Sequence, residues 1–291
     1  MNTTALLLVI LGALVHASWN VLAKKASGGT AFVWLYGAVS VLLAAPVGVY
    51  AWLTGVQPMG WAAWAAIGGS ALAHLAYSLV LQKGYQASDF SIVYPLARGT
   101  GPLLTVLAAT LLLGEAPSPS GWVGIGAILA GILLVSDVQA GFSTHPGRAR
   151  AGALWGVLTG ATIAVYTVVD GWAVKALGLA PILYYVLGLL LRTVILAPRA
   201  LRDLPALQRQ WKLNARYIVG VGALAPLAYT LVLYAMKTAP LVYVAPAREL
   251  SMLIGVMLGA RLLRESLSPG RIAGTVLMVA GVALLALARA G

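Results

Sequence analysis

The chain alternates long apolar blocks with short polar or helix-breaking interruptions. Blocks of roughly 20 residues, the length that crosses a ~30 Å hydrocarbon layer as a helix, fall near 4–23, 31–53, 61–82, 90–113, 120–137, 151–174, 181–198, 217–236, 241–262 and 270–288. Between them stand Ser27-Gly28-Gly29, Gln57-Pro58, Pro117-Ser118-Pro119, His145-Pro146-Gly147, Leu179-Ala180-Pro181 and Ser268-Pro269-Gly270, the residue types that end helices. The pattern predicts an all-α integral membrane protein of ten transmembrane helices. The largest polar insert, Arg199 to Arg216, carries Leu201, Leu204, Leu207 and Trp211 at near-helical spacing. It reads either as an amphipathic segment lying on the membrane surface or as a solvated basic loop.

The two halves echo each other. Ala76-Tyr77-Ser78-Leu79-Val80-Leu81 returns as Ala228-Tyr229-Thr230-Leu231-Val232-Leu233. Pro95 returns as Pro246, Glu115 as Glu265, Pro119 as Pro269 and Gly131 as Gly281, with the separation drifting from 152 to 150 residues. A unit of five helices crosses an odd number of times, so its second copy must enter upside down. The expected organisation is a first repeat over 1–138, a linker over 139–150 and a second, inverted repeat over 151–291.

Composition agrees. The chain is 61% hydrophobic and 9% charged, where a soluble domain carries roughly 25% charged residues; its mean hydropathy is +0.92. With no Cys, disulfides and thiolate metal sites are excluded. The first block follows Met1-Asn2-Thr3-Thr4 without a basic lead and reads as an uncleaved helix. The net charge of +12 raises nucleic acid as a partner, but the basic residues stand singly at block ends and form no binding face. They mark orientation instead. Odd-numbered connections carry Lys24, Lys25, Lys83, Arg148, Arg150, Arg199, Arg202, Arg209, Lys212, Arg216, Arg261, Arg264 and Arg271, against Lys175, Lys237 and Arg289 on the other side. Positive residues stay inside, so both termini are expected outside.

Few residues can carry chemistry. Arg98 lies inside the fourth block among Pro95, Gly99, Gly101 and Pro102, and this density of breakers predicts a kinked or partly unwound segment. A charge at such depth costs at least ~2.5 kcal/mol and usually has a task or a partner. Its planar fork suits a carboxylate, phosphate or phosphonate; the alternative is a structural cation paired with Glu249. Arg248 and Glu249 follow Pro246 in the ninth block. Glu249 could couple transport to protons, bind a substrate ammonium, or hold two helices together as a fixed ion pair. His16, Trp19 and Asn20 mark one face of the first helix, and His74, Tyr77, Ser78 and Gln82 one face of the third. For each His, an interhelical hydrogen bond competes with a cavity role. No His/Glu spacing suits a metal, and no hydroxyl has a base at the spacing a nucleophile needs. Lys25 and Lys175, ending the first and sixth helices, are expected to snorkel to the interface. Gly124, Gly126 and Gly131, with Gly274 and Gly281, are expected close-packing surfaces.

The chain resembles an EamA-type member of the drug/metabolite transporter superfamily along nearly its whole length. The residues carrying the resemblance are His16-Ala17-Ser18-Trp19-Asn20 with Lys24, Tyr166-Thr167-Val168-Val169-Asp170-Gly171, and the duplicated Pro/Arg segments with Glu115 and Glu265. The first of these is also similar to a subgroup associated with phosphonate utilisation. The resemblance implies an inverted five-plus-five bundle around a cavity lined by helices 1, 3, 4, 6, 8 and 9, and secondary transport, often export, of small metabolites. One departure is the strong charge on both helix 4 and helix 9. The expected function is alternating-access transport of a small anionic or zwitterionic metabolite, resembling an amino acid or aminophosphonate, across a bacterial cytoplasmic membrane. Arg98 would bind the acid group, Arg248 or Glu249 would balance charge, and Tyr77, Tyr94, Trp19 and Tyr229 would shape a pocket that His16, Asn20, His74 and Tyr166 also line. The lipid bilayer and a small-molecule substrate are the expected partners, with no nucleic acid, no cofactor beyond coupling protons, and a monomer or weak dimer. The rivals are an exporter of hydrophobic cations or drugs, a membrane-embedded enzyme and an uncoupled channel.

Overall fold

Where the sequence is apolar, the chain is helical. The computed structural model describes residues 1–26, 29–55, 59–88, 90–135, 146–254 and 269–288, and among these no strand occurs. The helices are α1 Thr3–Ala26, α2 Gly29–Thr54, α3 Trp61–Ala87, α4 Phe90–Leu113, α5 Pro119–Val135, α6 Pro146–Lys175, α7 Pro181–Ala200, α8 Leu204–Thr238, α9 Leu241–Ala247 and α10 Pro269–Leu287. Seven of them, α1–α4 and α6–α8, are long and apolar enough to cross a membrane, while α5 and Ile272–Leu287 of α10 are shorter apolar helices. Beyond a turn at Arg248-Glu249 the helix of α9 resumes over 250–254; the rest of the ninth predicted block, with Arg261, Arg264 and Glu265, lies outside the described residues. Leu53, Leu111 and Leu112 are 77%, 80% and 74% exposed. Outward apolar surface of this kind needs a lipid solvent.

Hydrogen bonds between helix ends mark two faces of the bundle. On the face of the even-numbered connections, Met1 Nα donates to Ala288 O at 2.8 Å and Asn2 Nδ2 to Thr238 O at 3.1 Å. On the odd face, Asn214 Nδ2 donates to Ala26 O at 3.3 Å. Contacts join mainly elements from different halves: α1 with α8, α3 with α6 and α7, α2 with α7 and α8, α4 with α6 and α9, and α5 with α10. Moving each label by five returns every pair of this set except α4 with α6, whose counterpart, α9 with α1, is a far slighter contact.

The α5–α10 contact is built on glycine. A Cβ added at Gly124 would lie 2.9 Å from Gly281 O, and one at Gly281 2.7 Å from Gly124 O. Gly131 and Gly274 are reciprocal in the same way, at 2.6 Å each. Small residues here let two backbones approach, as membrane helices require. Gly126 does not share this role, since a Cβ there meets only open space.

The insert from Arg199 to Arg216 is helical for most of its length. Asp203 caps α8 by accepting from Ala206 N at 3.0 Å, and the helix runs on through a kink at Asn214 (φ −127°, ψ 15°). Leu207 is buried while Leu201, Leu204 and Trp211 are exposed along with Arg209 and Lys212, so the segment is a helix rather than a loop.

Candidate functional site

The backbone of α9 breaks where its charges begin. Pro246 has no N–H to give, and the chain tightens after it: Glu249 N donates to Pro246 O at 3.0 Å, Ser251 N to Arg248 O at 3.2 Å and Met252 N to Glu249 O at 2.9 Å. These bonds span three residues rather than four, and they turn Arg248 and Glu249 into the bundle. The break expected around Arg98 is absent, because α4 is continuous from Phe90 to Leu113. Its glycines serve packing instead. A Cβ at Gly101 would lie 2.9 Å from Ile163 Cγ2 of α6, and one at Gly156 of α6 would lie 2.8 Å from Leu96 Cβ.

Three charged side chains meet at the centre. Arg98 Nε lies 2.7 Å from Glu249 Oε2, and Arg98 Nη2 donates to Ser251 Oγ at 2.8 Å. Arg248 Nε stands 4.0 Å from Glu249 Oε1. Arg98, Arg248 and Glu249 are 6%, 5% and 1% exposed. Arg98 is eight residues from the odd-face start of α4, and Glu249 eight from the even-face start of α9. At 1.5 Å per residue each lies roughly 12 Å deep, and the side chains span the remaining gap. The two charges therefore pair across the middle of the bundle and leave no room between them for a substrate. Arg98 is engaged; Arg248 is not. Among the described residues its guanidinium makes no hydrogen bond, and its Cζ lies 6.0 Å from the Tyr166 ring centroid.

Aromatic side chains extend from this cluster. His74 stacks on Tyr166 with centroids 3.9 Å apart, and Tyr77 and Tyr229 meet Tyr166 edge-on at 5.9 and 6.3 Å. His74 Nδ1 donates to Ser70 O at 2.9 Å, which leaves Nε2 as the acceptor of a neutral ring. Tyr94 lies 5.8 Å from Arg98 Cζ. His16 is in electrostatic range of both Arg98 and Arg248. Of the predicted site residues, then, His16, His74, Tyr77, Tyr94, Tyr166 and Tyr229 gather around the charges. Trp19 meets the His16 ring edge-on with centroids 4.8 Å apart and also packs with Phe32 and Ile218, and Asn20 Nδ2 donates back to His16 O at 2.8 Å.

Two residues of the site were missing from the expected set. Asp170, fully buried, accepts from Tyr184 OH at 2.6 Å and from Tyr229 OH, tying α6 to α7 and α8. Arg192 of α7 lines a cavity of about 80 Å³ with His74, Tyr36 and Ser78. A narrower recess of about 10 Å³, which Arg192 also lines, reaches Asp170 and Tyr229. The signal for Arg192 was legible, since it is an arginine inside an apolar block and the cost argument made for Arg98 covers it equally. Asp170 stands five residues from the end of α6, where a carboxylate passes for an interface residue.

The even face is closed by a second polar group. Gly114, at φ 67°, reverses the chain after α4 so that Glu115 N reaches Ala109 O at 3.2 Å, the positive-φ helix end that glycine permits. Glu115 then caps α9, accepting from Val242 N at 2.9 Å, and pairs with Lys175 Nζ at 2.6 Å. Lys175 is thus held by a carboxylate rather than snorkelling free. Ser118 N donates to Tyr243 OH at 3.0 Å beside it.

The EamA-like transporter family matches residues 3–137 and 150–287. The spermidine export protein MdtI of Salmonella paratyphi B is 35% identical over 66 residues, covering 23% of this chain and 61% of that protein, and the protein of the same name from Salmonella newport matches identically. The chain thus spans less than two thirds of these relatives' length. A protein solved by crystallography shares the fold, with a TM-score of 0.75 at 19% identity over 99% of both chains.

Proposed function

The chain belongs to the EamA-like transporter family, and we propose that it carries a small anionic or zwitterionic metabolite across the membrane by alternating access, holding the acid group at Arg248. The observation behind this reading is that Arg248 is a buried cation with no hydrogen-bonded partner among the described residues, set beside an aromatic wall at a backbone break. A guanidinium in a low-dielectric site binds a carboxylate or phosphonate in two-point fashion. Arg98, which the sequence favoured for this role, serves to neutralise Glu249 and so leaves the cluster with one surplus positive charge.

The ten helices act as crossings of two inverted repeats. The contact pairs, all but one of which survive exchange of the halves, and the reciprocal Gly124–Gly281 and Gly131–Gly274 approaches support this, because a two-fold axis makes residue i meet j wherever j's counterpart meets i's. The offset that matches Pro95 to Pro246 also matches Arg98 to Glu249, so the central ion pair lies on the axis. The basic odd face lies in the cytoplasm of a bacterial cell. Opening the even face requires the Glu115–Lys175 contact and the Asp170 hydroxyl group to part.

A second reading, export of a polyamine or other cation, takes support from the name of the spermidine export relatives. It calls for a carboxylate open to the substrate. Glu249 is held by Arg98 at 2.7 Å and Asp170 by hydroxyl donors, which weighs against it. An enzyme would need a nucleophile beside a base, and the cluster offers none. Thermal unfolding of the purified protein with amino acids, aminophosphonates, quaternary amines and spermidine tests the choice. The proposal expects acids or zwitterions to stabilise; stabilisation by cations alone would overturn it. Counterflow in proteoliposomes then separates a carrier from a channel.

A further inference from the structure

Arg192 poses a separate question. It sits eight residues from the odd-face end of α7, about 12 Å deep at helical rise, and among the described residues no carboxylate lies within 4.0 Å of it. What it has is Tyr185, whose ring centroid is 5.6 Å from Arg192 Cζ. A cation inside a membrane protein faces a water-filled cavity or a substrate path, and Arg192 faces the cavity of about 80 Å³ between α2, α3 and α7. That cavity runs from His74, near the middle of α3, to Thr30 at the start of α2 and Leu196 near the end of α7. It therefore extends toward the odd face.

Most polar groups of the lining are already bonded. Trp34 Nε1 donates to Thr193 O at 3.2 Å, Thr193 Oγ1 to Leu189 O at 2.8 Å and Ser78 Oγ to His74 O at 3.0 Å. The Arg192 guanidinium and the Tyr36 and Thr30 hydroxyls remain for a guest. At the inner end, a narrower recess that Arg192 also lines reaches Asp170 and Tyr229.

We infer that the Arg192 cavity is an oxyanion-binding subsite, taking the carboxylate or phosphoryl group of a small solute before it reaches Arg248, or the same group of a lipid headgroup. The inference extends the acid-transport reading to a helix outside the expected cavity-lining set, and it rests on that reading only for the direction of travel.

The test uses the full chain in phosphatidylcholine nanodiscs, titrated with acetate and inorganic phosphate and followed by thermal unfolding; a second arm replaces part of the lipid with phosphatidylglycerol. Arg192→Gln should weaken the response to the soluble anions by about tenfold or more, the scale of a lost charge-assisted hydrogen bond, with Arg192→Lys recovering part of it. If only the response to phosphatidylglycerol is lost, the site stands and its oxyanion comes from lipid. Unchanged responses in both arms, with Arg192→Gln and Arg192→Lys folded as judged by their unliganded midpoints, would overturn the subsite. Arg248→Gln run in parallel keeps the two ideas apart. Loss of counterflow in Arg248→Gln with no anion effect in Arg192→Gln removes the subsite alone. Intact counterflow in Arg248→Gln with an anion effect in Arg192→Gln removes the central site alone.

Discussion

The two Pro/Arg segments began as near-copies and have taken different physical roles. In α4 the breakers around Arg98 are absorbed by packing on α6, the helix stays whole, and the arginine is fixed by Glu249 at 2.7 Å and Ser251 at 2.8 Å. In α9 the single Pro246 is enough to break the helix, and the turn presents one charge to its counterpart on α4 and leaves the other unspent. The difference teaches that a buried charge is informative through its partners rather than its presence. An arginine at 2.7 Å from a carboxylate holds helices together, whereas one 4.0 Å from it and without a hydrogen bond is available to a substrate.

The sharpest way to break this comparison is to remove Arg98. Arg98→Ala leaves Glu249 buried without its ion-pair partner, and losing one member of a buried pair costs about 3–5 kcal/mol. Thermal unfolding in detergent should show a large drop, and Arg98→Met with Glu249→Met together should recover much of it. A drop no larger than that of a surface substitution would show that Arg98 is not structural. Arg248→Gln comes next. It should weaken acid binding about tenfold or more while moving the unliganded midpoint by only about 2–4 °C, the equivalent of roughly 1 kcal/mol.

Gly131→Val should destabilise by about 1–3 kcal/mol through overpacking against α10, because its Cβ would lie 2.6 Å from Gly274 O; Gly126→Ala, pointing into open space, should be near neutral. Chemical denaturation of both variants compares a repeat contact with its non-contacting neighbour. Smallest is Lys175→Ala. Its side chain is 43% exposed, so loss of the pair should cost about 0.5 kcal/mol. Its larger effect should be a faster even-face opening, measured as solvent accessibility of a cysteine placed at Thr238.

Much of this was legible beforehand. Helical blocks follow from apolar length alone, and the glycine pairs follow from spacing on short helices. The ring of His74, Tyr77, Tyr166 and Tyr229 could be anticipated because polar-aromatic side chains in lipid-length helices have few other places to go. The Arg98–Glu249 pair was legible as one of two alternatives, but nothing local to Arg98 chose between them or pointed to Ser251, and sequence weighed the breakers around it too heavily because glycine serves both kinks and close packing. Trp19 shares a face with His16 by spacing and meets its ring, yet the bundle also packs it with Phe32 and Ile218. Arg192 was readable by the same cost argument but lies on a helix outside the expected lining, and Asp170 resembled an interface residue until Tyr184 and Tyr229 closed over it.

The most direct test of the account is a titration of one stabilising acid, taken from the ligand screen, against the unaltered protein and Arg248→Gln by thermal unfolding. The account predicts a midpoint that climbs with ligand in the first and an apparent affinity about tenfold or more weaker in the second, with similar midpoints in the absence of ligand. Equal affinity in the two proteins would contradict the assignment of the acid group to Arg248.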